Sequence, residues 1–351
     1  GNLRPITLLT TMRKAISLVA LERIYKQVEK YLPKSQCGFR RKRSTTEIAW
    51  AYSWIKATAR KYQRPIHVIG IDMSRAFDCM DRNKVLYILE HDIFIEESDL
   101  RIIRALLGQT SLTVKINGAY GNPFPTILGT PQGDGLSPIL FTIYLEGAMR
   151  ELRLSDGALY GRFNGVNWGD DIWEMSYADD VDFVSPDKQL LETLIEIIPS
   201  KFETNFGLKV NKDKTERKTF SQNHTDQVDF KKLGTKVDPA ADVRYRIQKS
   251  NAAFFSMWKT WQCHKVSVPL RVRLYNACIK SILLYNIAAQ AYTELMIRKL
   301  EAAHRKQLKH ILRIYWPNII SSKEIYRRTG TVTIRADIII ARWNFFQRSL
   351  L

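Results

Sequence analysis

The sequence predicts an α+β body of interleaved strands and helices, followed from about residue 240 by an all-helical basic module. Three observations predict this. Short β-rich runs alternate with helix-periodic stretches through the first two thirds of the chain, and later only helical periodicity recurs. The 351 residues are 45% apolar and 11% aromatic, enough to bury a core and to exclude a disordered chain. Charge shifts at the same place: residues 1–240 hold 34 Lys+Arg and 30 Asp+Glu, whereas 241–351 hold 20 and 5. The net +19 is therefore concentrated at one end, which suggests a polyanionic partner, nucleic acid foremost. The blander alternative is a soluble protein that is simply basic.

Taken in order, Leu18, Leu21, Ile24, Tyr25 and Val28 recur at helical spacing and predict a helix over 11–32. The basic loop GFRRKRSTTE follows, with Ser44 or Thr45 suited to cap a helix through Trp54 and Ile55. His67 to Asp72 reads as a short strand buried on both faces. Residues 81–107 read as helix, Leu112 to Asn117 as a strand ending in an Asn117-Gly118 turn, and Ser137-Pro138 as the start of an apolar helix. Glu174 to Ser185 predicts two strands about a tight turn, 190–206 a helix, and Phe230 to Lys236 a last short strand. No apolar run approaches the roughly 18 residues of a membrane span, and the first residues lack the layout of a secretory signal. Cys37, Cys79, Cys263 and Cys278 form no CxxC pair. That excludes a disulfide scaffold and a zinc ribbon, and it suits a reducing, intracellular compartment.

Acidic residues sit where acids are uncomfortable. Asp72 ends the apolar run VIGID, and Asp179-Asp180 occupy a turn between strand-forming residues. If the strand ending at Asp72 lies beside that hairpin, the carboxylates meet at one sheet edge. At about 4 Å and an effective dielectric of about 20, each like-charge pair costs about 4 kcal/mol. A cation must offset this, and oxygen-only ligands select hard ions such as Mg²⁺. Two ions about 3.5–4 Å apart can activate a 3′-hydroxyl and stabilise departing pyrophosphate. The plain alternative is a solvated Asp-Asp turn.

Seven segments, in order, resemble the reverse transcriptases of non-LTR, LINE-type retrotransposons. Asn2-Leu-Arg-Pro-Ile-Thr-Leu-Leu and Gln36-Cys-Gly-Phe-Arg-Arg-Lys-Arg-Ser-Thr-Thr45 resemble the finger motifs. Asp72-Met-Ser-Arg-Ala-Phe-Asp78 is similar to motif A, the stretch from Gly129 to Phe141 to motif B, and Tyr177-Ala-Asp-Asp180 to motif C. The stretch from Gly207 to Glu216 is similar to motif D, and Phe230-Lys-Lys-Leu-Gly-Thr235 to the primer grip. Residues around Arg271 and Leu283-Leu-Tyr285 are similar to the family's thumb. Gly135 departs from the pattern, which more often has a bulkier residue there. Gly169-Asp170-Asp171 resembles the acidic signature of RNA-copying viral polymerases, but its loop-like flank predicts a surface turn.

The resemblance implies a right-hand polymerase with fingers over 1–65, an antiparallel-sheet palm over 66–240 and a helical basic thumb over 241–351, with finger-associated helices about 83–110. It implies RNA-directed DNA synthesis from dNTPs on an RNA template, a DNA primer and its RNA–DNA hybrid, with two Mg²⁺ and Mn²⁺ as an alternative ion. Asp72 and Asp179 are then the metal ligands, with Asp180 close by. Met73, Ser74, Arg75 and Ala76 would meet the triphosphate through backbone N–H groups, and Arg4 through its guanidinium. Phe77 would exclude a 2′-hydroxyl, with a plain core aromatic as the alternative, and Gln132 and Gly133 would lie under the nascent pair. Lys214 would protonate pyrophosphate. Arg40, Arg41, Lys42 and Arg43 would follow the template backbone, and Leu233 and Gly234 the primer. Trp258, Trp261 and Trp316 read as core residues before base-stacking ones, and His264 as structural. Full elements of this kind also carry an endonuclease and nucleic-acid-binding segments, expected outside this chain, and act in the nucleus of a eukaryotic host. Rival readings are an intron-encoded or other palm-type polymerase and a catalytically inactive RNA-binding scaffold.

Overall fold

The computed structural model describes residues 7–108, 110–155, 166–167, 171–172, 174–221 and 230–350. It divides into two compact units, Gly1–Ser44 with Arg64–Thr219, and Thr45–Gln63 with Phe220–Leu351. The Thr45–Tyr62 helix thus groups with the later part of the chain.

In the first unit, the Thr11–Tyr31 helix starts where the Thr10 hydroxyl oxygen accepts from the Arg13 N–H at 3.3 Å. It buries Ala20, Ile24, Val28 and Tyr31, spaced by threes and fours along one face. Four strands form one sheet in the order Glu216–Phe220, Ile66–Ile71, Asp180–Ser185, Glu174–Tyr177. The last three are antiparallel, with Ile71 opposite Val181 and Asp180 opposite Tyr177. Helix Lys188–Phe206 packs across the two central strands and against helix Ser137–Ser155, and both strands are buried along nearly their whole length. Phe141, Tyr144, Val181, Phe183, Leu194 and Phe202 share one core.

Residues 81–107 depart from the single helix that periodicity predicts. They form helix Arg82–Tyr87, a wide turn Ile88–Asp92 and helix Glu97–Leu107. Phe94 takes a left-handed conformation (φ 58°) that reverses the chain, so that Ile93 and Ile95 both bury. The strand predicted over 112–117 is two short ones. Thr110–Leu112 pairs with Phe124–Thr126, and Lys115–Ile116 with Ala119–Tyr120 across the Asn117-Gly118 turn. Both turn residues have positive φ, the type I′ pattern.

Among the described residues, the second unit holds two helical cores. Phe254, Trp261, Tyr275, Leu308 and Ile311 centre one, and Val243, Leu283, Leu300 and Ile338 the other. Trp261 is buried and its Nε1 donates to the Phe254 carbonyl at 2.7 Å, and Trp258 packs against the same core. Trp316 does the opposite of core packing: it is 92% exposed, because its loop leaves the last turn of helix Glu294–Ile311. Arg298, Lys299 and Lys306 face solvent, while Leu300, Leu308 and Ile311 on the same helix are buried. Phe230 to Lys236 is a hairpin rather than one strand: Lys231–Lys232 pairs with Thr235–Lys236 around Leu233 (φ 44°) and Gly234 (φ 79°). Beneath it, Arg246 and Asp242 form a buried two-point ion pair at 2.6 and 3.0 Å. Asp242 also accepts from the Lys236 N–H and the Tyr292 hydroxyl, and Arg246 donates to the Thr235 hydroxyl. His264, exposed, meets Arg313 at 2.7 Å.

Candidate active site

Extending the strand register by one residue from Ile71 opposite Val181 sets Asp72 level with Asp180. Asp179 lies in the turn between the two strands of the hairpin, and all three acids are half-exposed at one end of the sheet. The turn is tight because Ala178 adopts a left-handed conformation (φ 58°), which costs a non-glycine residue about 1–2 kcal/mol. Just beyond Asp72, Met73–Ser74 pairs with Lys209–Val210, and the Asn211 N–H donates to the Asp72 carbonyl at 2.8 Å. That pairing delivers Lys214, whose Nζ lies 3.2 Å from the Asp72 carboxylate, with side chains 59% and 37% exposed. Two segments 142 residues apart, singled out separately in the sequence, therefore meet in one ion pair.

The other expected nucleotide-site residues divide into buried and open ones. Met73 and Ala76 are core side chains, and Ser74 is half-buried. Arg75 is exposed and left-handed (φ 49°), opening the short helix Ala76–Cys79. Phe77 packs on Phe141 with ring centroids 4.3 Å apart and is edge-on to Phe39 at 6.2 Å. Its ring is thus fixed from beneath but not fully buried.

The 129–133 loop is stitched to the motif A segment. The Gly129 N–H donates to Met80 O, the Thr130 N–H to Phe77 O, and Gln132 Nε2 lies 3.5 Å from Asp78 Oδ1. Gly129 (φ 72°) has no room for a Cβ, which would sit 2.8 Å from Asp78 O. The Thr7 N–H donates to Gln132 O at 2.9 Å, beside the exposed Gly133. A Cβ on Gly135 would meet Leu18 at 2.8 Å, so that position lodges a neighbouring side chain. Arg82 holds the near end of the loop. Its buried guanidinium donates to the carbonyls of Gly129, Leu107, Thr126 and Leu128 at 2.7–3.1 Å, and burial lowers its pKa.

Two residues are instructive here: Gln36, which had no role of its own in the sequence, and Arg40, which was expected on the template backbone. Gln36 is buried, its Oε1 accepts from the Gly38 and Ala178 N–H groups at 2.8 and 3.1 Å, and its Nε2 donates to Ala178 O at 3.3 Å. Arg40, expected in an exposed basic cluster, has a side chain only 3% exposed. Its guanidinium is used up on Glu29 and the carbonyls of Pro33 and Gln36, which leaves no face for a phosphate. Arg41 is exposed, pairs with Glu22 and lies over the Tyr25 ring at 4.2 Å. Lys42 is exposed and Arg43 half-buried. Only long-range pairing could have revealed Gln36, since its partner is 142 residues away. Arg4, Gly169 and Asp170 lie outside the described residues, and the Asp171 backbone belongs to the Asp171–Ile172 strand, not to a turn.

Carboxylate oxygens on neighbouring strand ends suit a hard cation that keeps some waters and takes substrate oxygens, not a closed protein cage. Among the described residues, no three His, Cys, Asp or Glu side chains, those of Asp72, Asp179 and Asp180 included, converge into a group that could by itself hold a metal ion. Also among the described residues, no helix is long and apolar enough to cross a membrane.

A sheet bearing acids at one end and flanked by helices is consistent with an α+β polymerase fold, which the comparisons support. The family described as reverse transcriptase (RNA-dependent DNA polymerase) matches residues 1–237, and the chain belongs to it. The family generally uses divalent metal ions. The chain is 23% identical over 346 residues to the RNA-directed DNA polymerase from mobile element jockey of Drosophila melanogaster, covering 89% of this chain and 36% of that one. It is also 23% identical over 216 residues to the retrovirus-related Pol polyprotein from type-1 retrotransposable element R2 of Popillia japonica, covering 61% and 29%. It spans about a third of the length of these curated relatives. Among solved structures it resembles apo telomerase from Candida tropicalis, at a TM-score of 0.52 and 14% identity over 96% of this chain and 55% of that one, a likeness of fold.

Proposed function

We propose that this chain is the polymerase core of a non-LTR retrotransposon reverse transcriptase, an RNA-directed DNA polymerase that extends a primer 3′-hydroxyl on an RNA template with dNTPs. The observation that carries the reading is the Lys214–Asp72 ion pair beside the Asp179-Asp180 turn, in a chain of the reverse transcriptase family. In the reaction, the primer 3′ oxygen forms a bond to the α-phosphorus, the α–β phosphoanhydride bond breaks, and pyrophosphate leaves. Asp72, Asp179 and Asp180 would hold two Mg²⁺, which lower the pKa of the attacking hydroxyl and neutralise the leaving group.

The chain's own residues do the rest. Lys214, already at the acid cluster, donates a proton to pyrophosphate as it departs. Phe77, braced by Phe141, abuts the sugar and disfavours a 2′-hydroxyl. The Met73–Ala76 backbone and Arg4 take the triphosphate, and Gln132 and Gly133 face the nascent pair. Arg41, Lys42 and Arg43 are the remaining candidates for the template backbone. Leu233 and Gly234 would present the primer, with residues 1–65 as fingers, 66–240 as palm and 241–351 as thumb. Action would be intracellular, and nuclear in a eukaryotic host.

Primer extension with Mg²⁺ on matched RNA and DNA templates, run beside Asp179→Asn, tests the reading. Extension on RNA by the parent and its loss in the variant are expected. Equal signals from both proteins, or tight template binding with no extension by either, would sink it.

A further inference from the structure

We infer that Gln36 is a positioning residue that sets the conformation of the Asp179 turn, and with it the aim of the carboxylate that the proposed function gives to metal binding. Three features of the first unit carry this. The first is that the buried Gln36 amide holds both main-chain groups of one residue: Oε1 accepts from the Ala178 N–H and Nε2 donates to the Ala178 carbonyl. Ala178 immediately precedes Asp179 and is the residue forced into the left-handed region, so the amide grips the strained link itself.

The second feature is the mounting of the gripping segment. The Cys37 N–H donates to Ser176 O at 2.8 Å and the Ser176 N–H to Ser35 O at 3.0 Å. Residues 35–37 thus add to the edge of the Glu174–Tyr177 strand, with Gln36 bridged parallel to Ser176. The Arg40 guanidinium holds the Gln36 carbonyl from behind at 2.9 Å and is itself anchored on Glu29. The third is fit: a Cβ on Gly38 would lie 2.3 Å from Ala178 N, so the backbone is pressed against the turn with no room for any other residue. A side chain serving the core alone would need none of this polar specificity; an apolar residue of the same length would fill the space.

The inference rests on the proposed role of Asp179, and the test separates the two. Gln36→Met keeps the volume and removes the hydrogen bonds. Gln36→Glu keeps an acceptor for the Gly38 and Ala178 N–H groups and loses the donor to Ala178 O. Three readouts apply to full-length protein: amide hydrogen exchange across residues 175–181, equilibrium Mn²⁺ binding by electron paramagnetic resonance, and single-turnover extension per active molecule. Faster exchange confined to that peptide, weaker Mn²⁺ binding and a rate loss of about 10²-fold are expected for Gln36→Met, since a misplacement near 1 Å can cost that much. A smaller loss is expected for Gln36→Glu. Primer–template affinity should stay unchanged.

If either folded variant shows parental exchange at 175–181 and parental Mn²⁺ binding, the inference is overturned, even if Asp179→Asn is inactive. If Gln36→Met does not fold, Gln36→Glu decides by the same readouts. Should Asp179→Asn extend primers normally, the site reading itself fails, whatever Gln36 does to exchange.

Discussion

The two units solve opposite problems with charge. In the first, the acids gathered at the sheet end are left half-exposed, and they are aimed by backbone devices: strand register, a left-handed turn, a glycine with no room for a side chain and one amide clamp. In the second, Asp242 and Arg246 beneath the 231–236 hairpin are paired with each other and no more than 2% exposed, while cations such as Arg298, Lys299 and Lys306 face solvent. Chemistry demands carboxylates that a substrate can reach, so their positions must be set through the main chain. In the second unit, the grip on a polyanion that the proposed function assigns to it would fall to the outward-facing cations, while the Asp242–Arg246 pair closes inward.

The sharpest way to break this contrast is at Lys214. Lys214→Ala should lower the single-turnover rate by about 10²–10⁴-fold, with parental thermal stability, because its pair with Asp72 is solvent-screened. A large loss of stability with an unchanged rate would reverse the assignment.

In the second unit the expectation inverts. Asp242→Asn strands a buried guanidinium and should destabilise that unit by about 3–5 kcal/mol, read by urea unfolding. Extension per folded molecule should hardly move.

A smaller effect follows from His304, buried beside Tyr275, whose hydroxyl meets its Nδ1 at 2.7 Å and donates to Gln307 Oε1 at 2.9 Å. Burial, aided by the nearby Lys280 charge, pushes the imidazole down to about 3. The unfolded chain takes up this proton below about pH 6.5 and the folded one does not, so the stabilisation is complete above that value and falls as pH drops towards about 3. The slope is about 1.4 kcal/mol per pH unit, and His304→Gln should remove it from the pH dependence of urea unfolding. An unchanged slope would show that the group is not held neutral.

What could be read from sequence was local. The Asp179-Asp180 hairpin announced itself through apolar flanks on both sides, and the Thr11–Tyr31 helix through its period and cap. The strand Glu216–Phe220 stayed hidden because its sequence, ERKTF, is polar, as edge strands often are. Arg40 was misread for a related reason. In a run of basic residues nothing local shows which one turns inward, and its carboxylate partner sits in the preceding helix. Gln36 gave no signal because an amide's role depends entirely on what folds against it.

Arg82 draws helix end, hairpin and loop onto a single planar group, through Leu107, Thr126 and Gly129. Substitutions in these three stretches therefore share one partner, and their energetic effects should not add. A double-mutant cycle between Thr126 and the 129–133 loop would register coupling mediated by a guanidinium neither cycle partner contains. Tolerance to change in the 110–126 hairpin is thus set partly by the loop that the proposed function places beneath the nascent base pair.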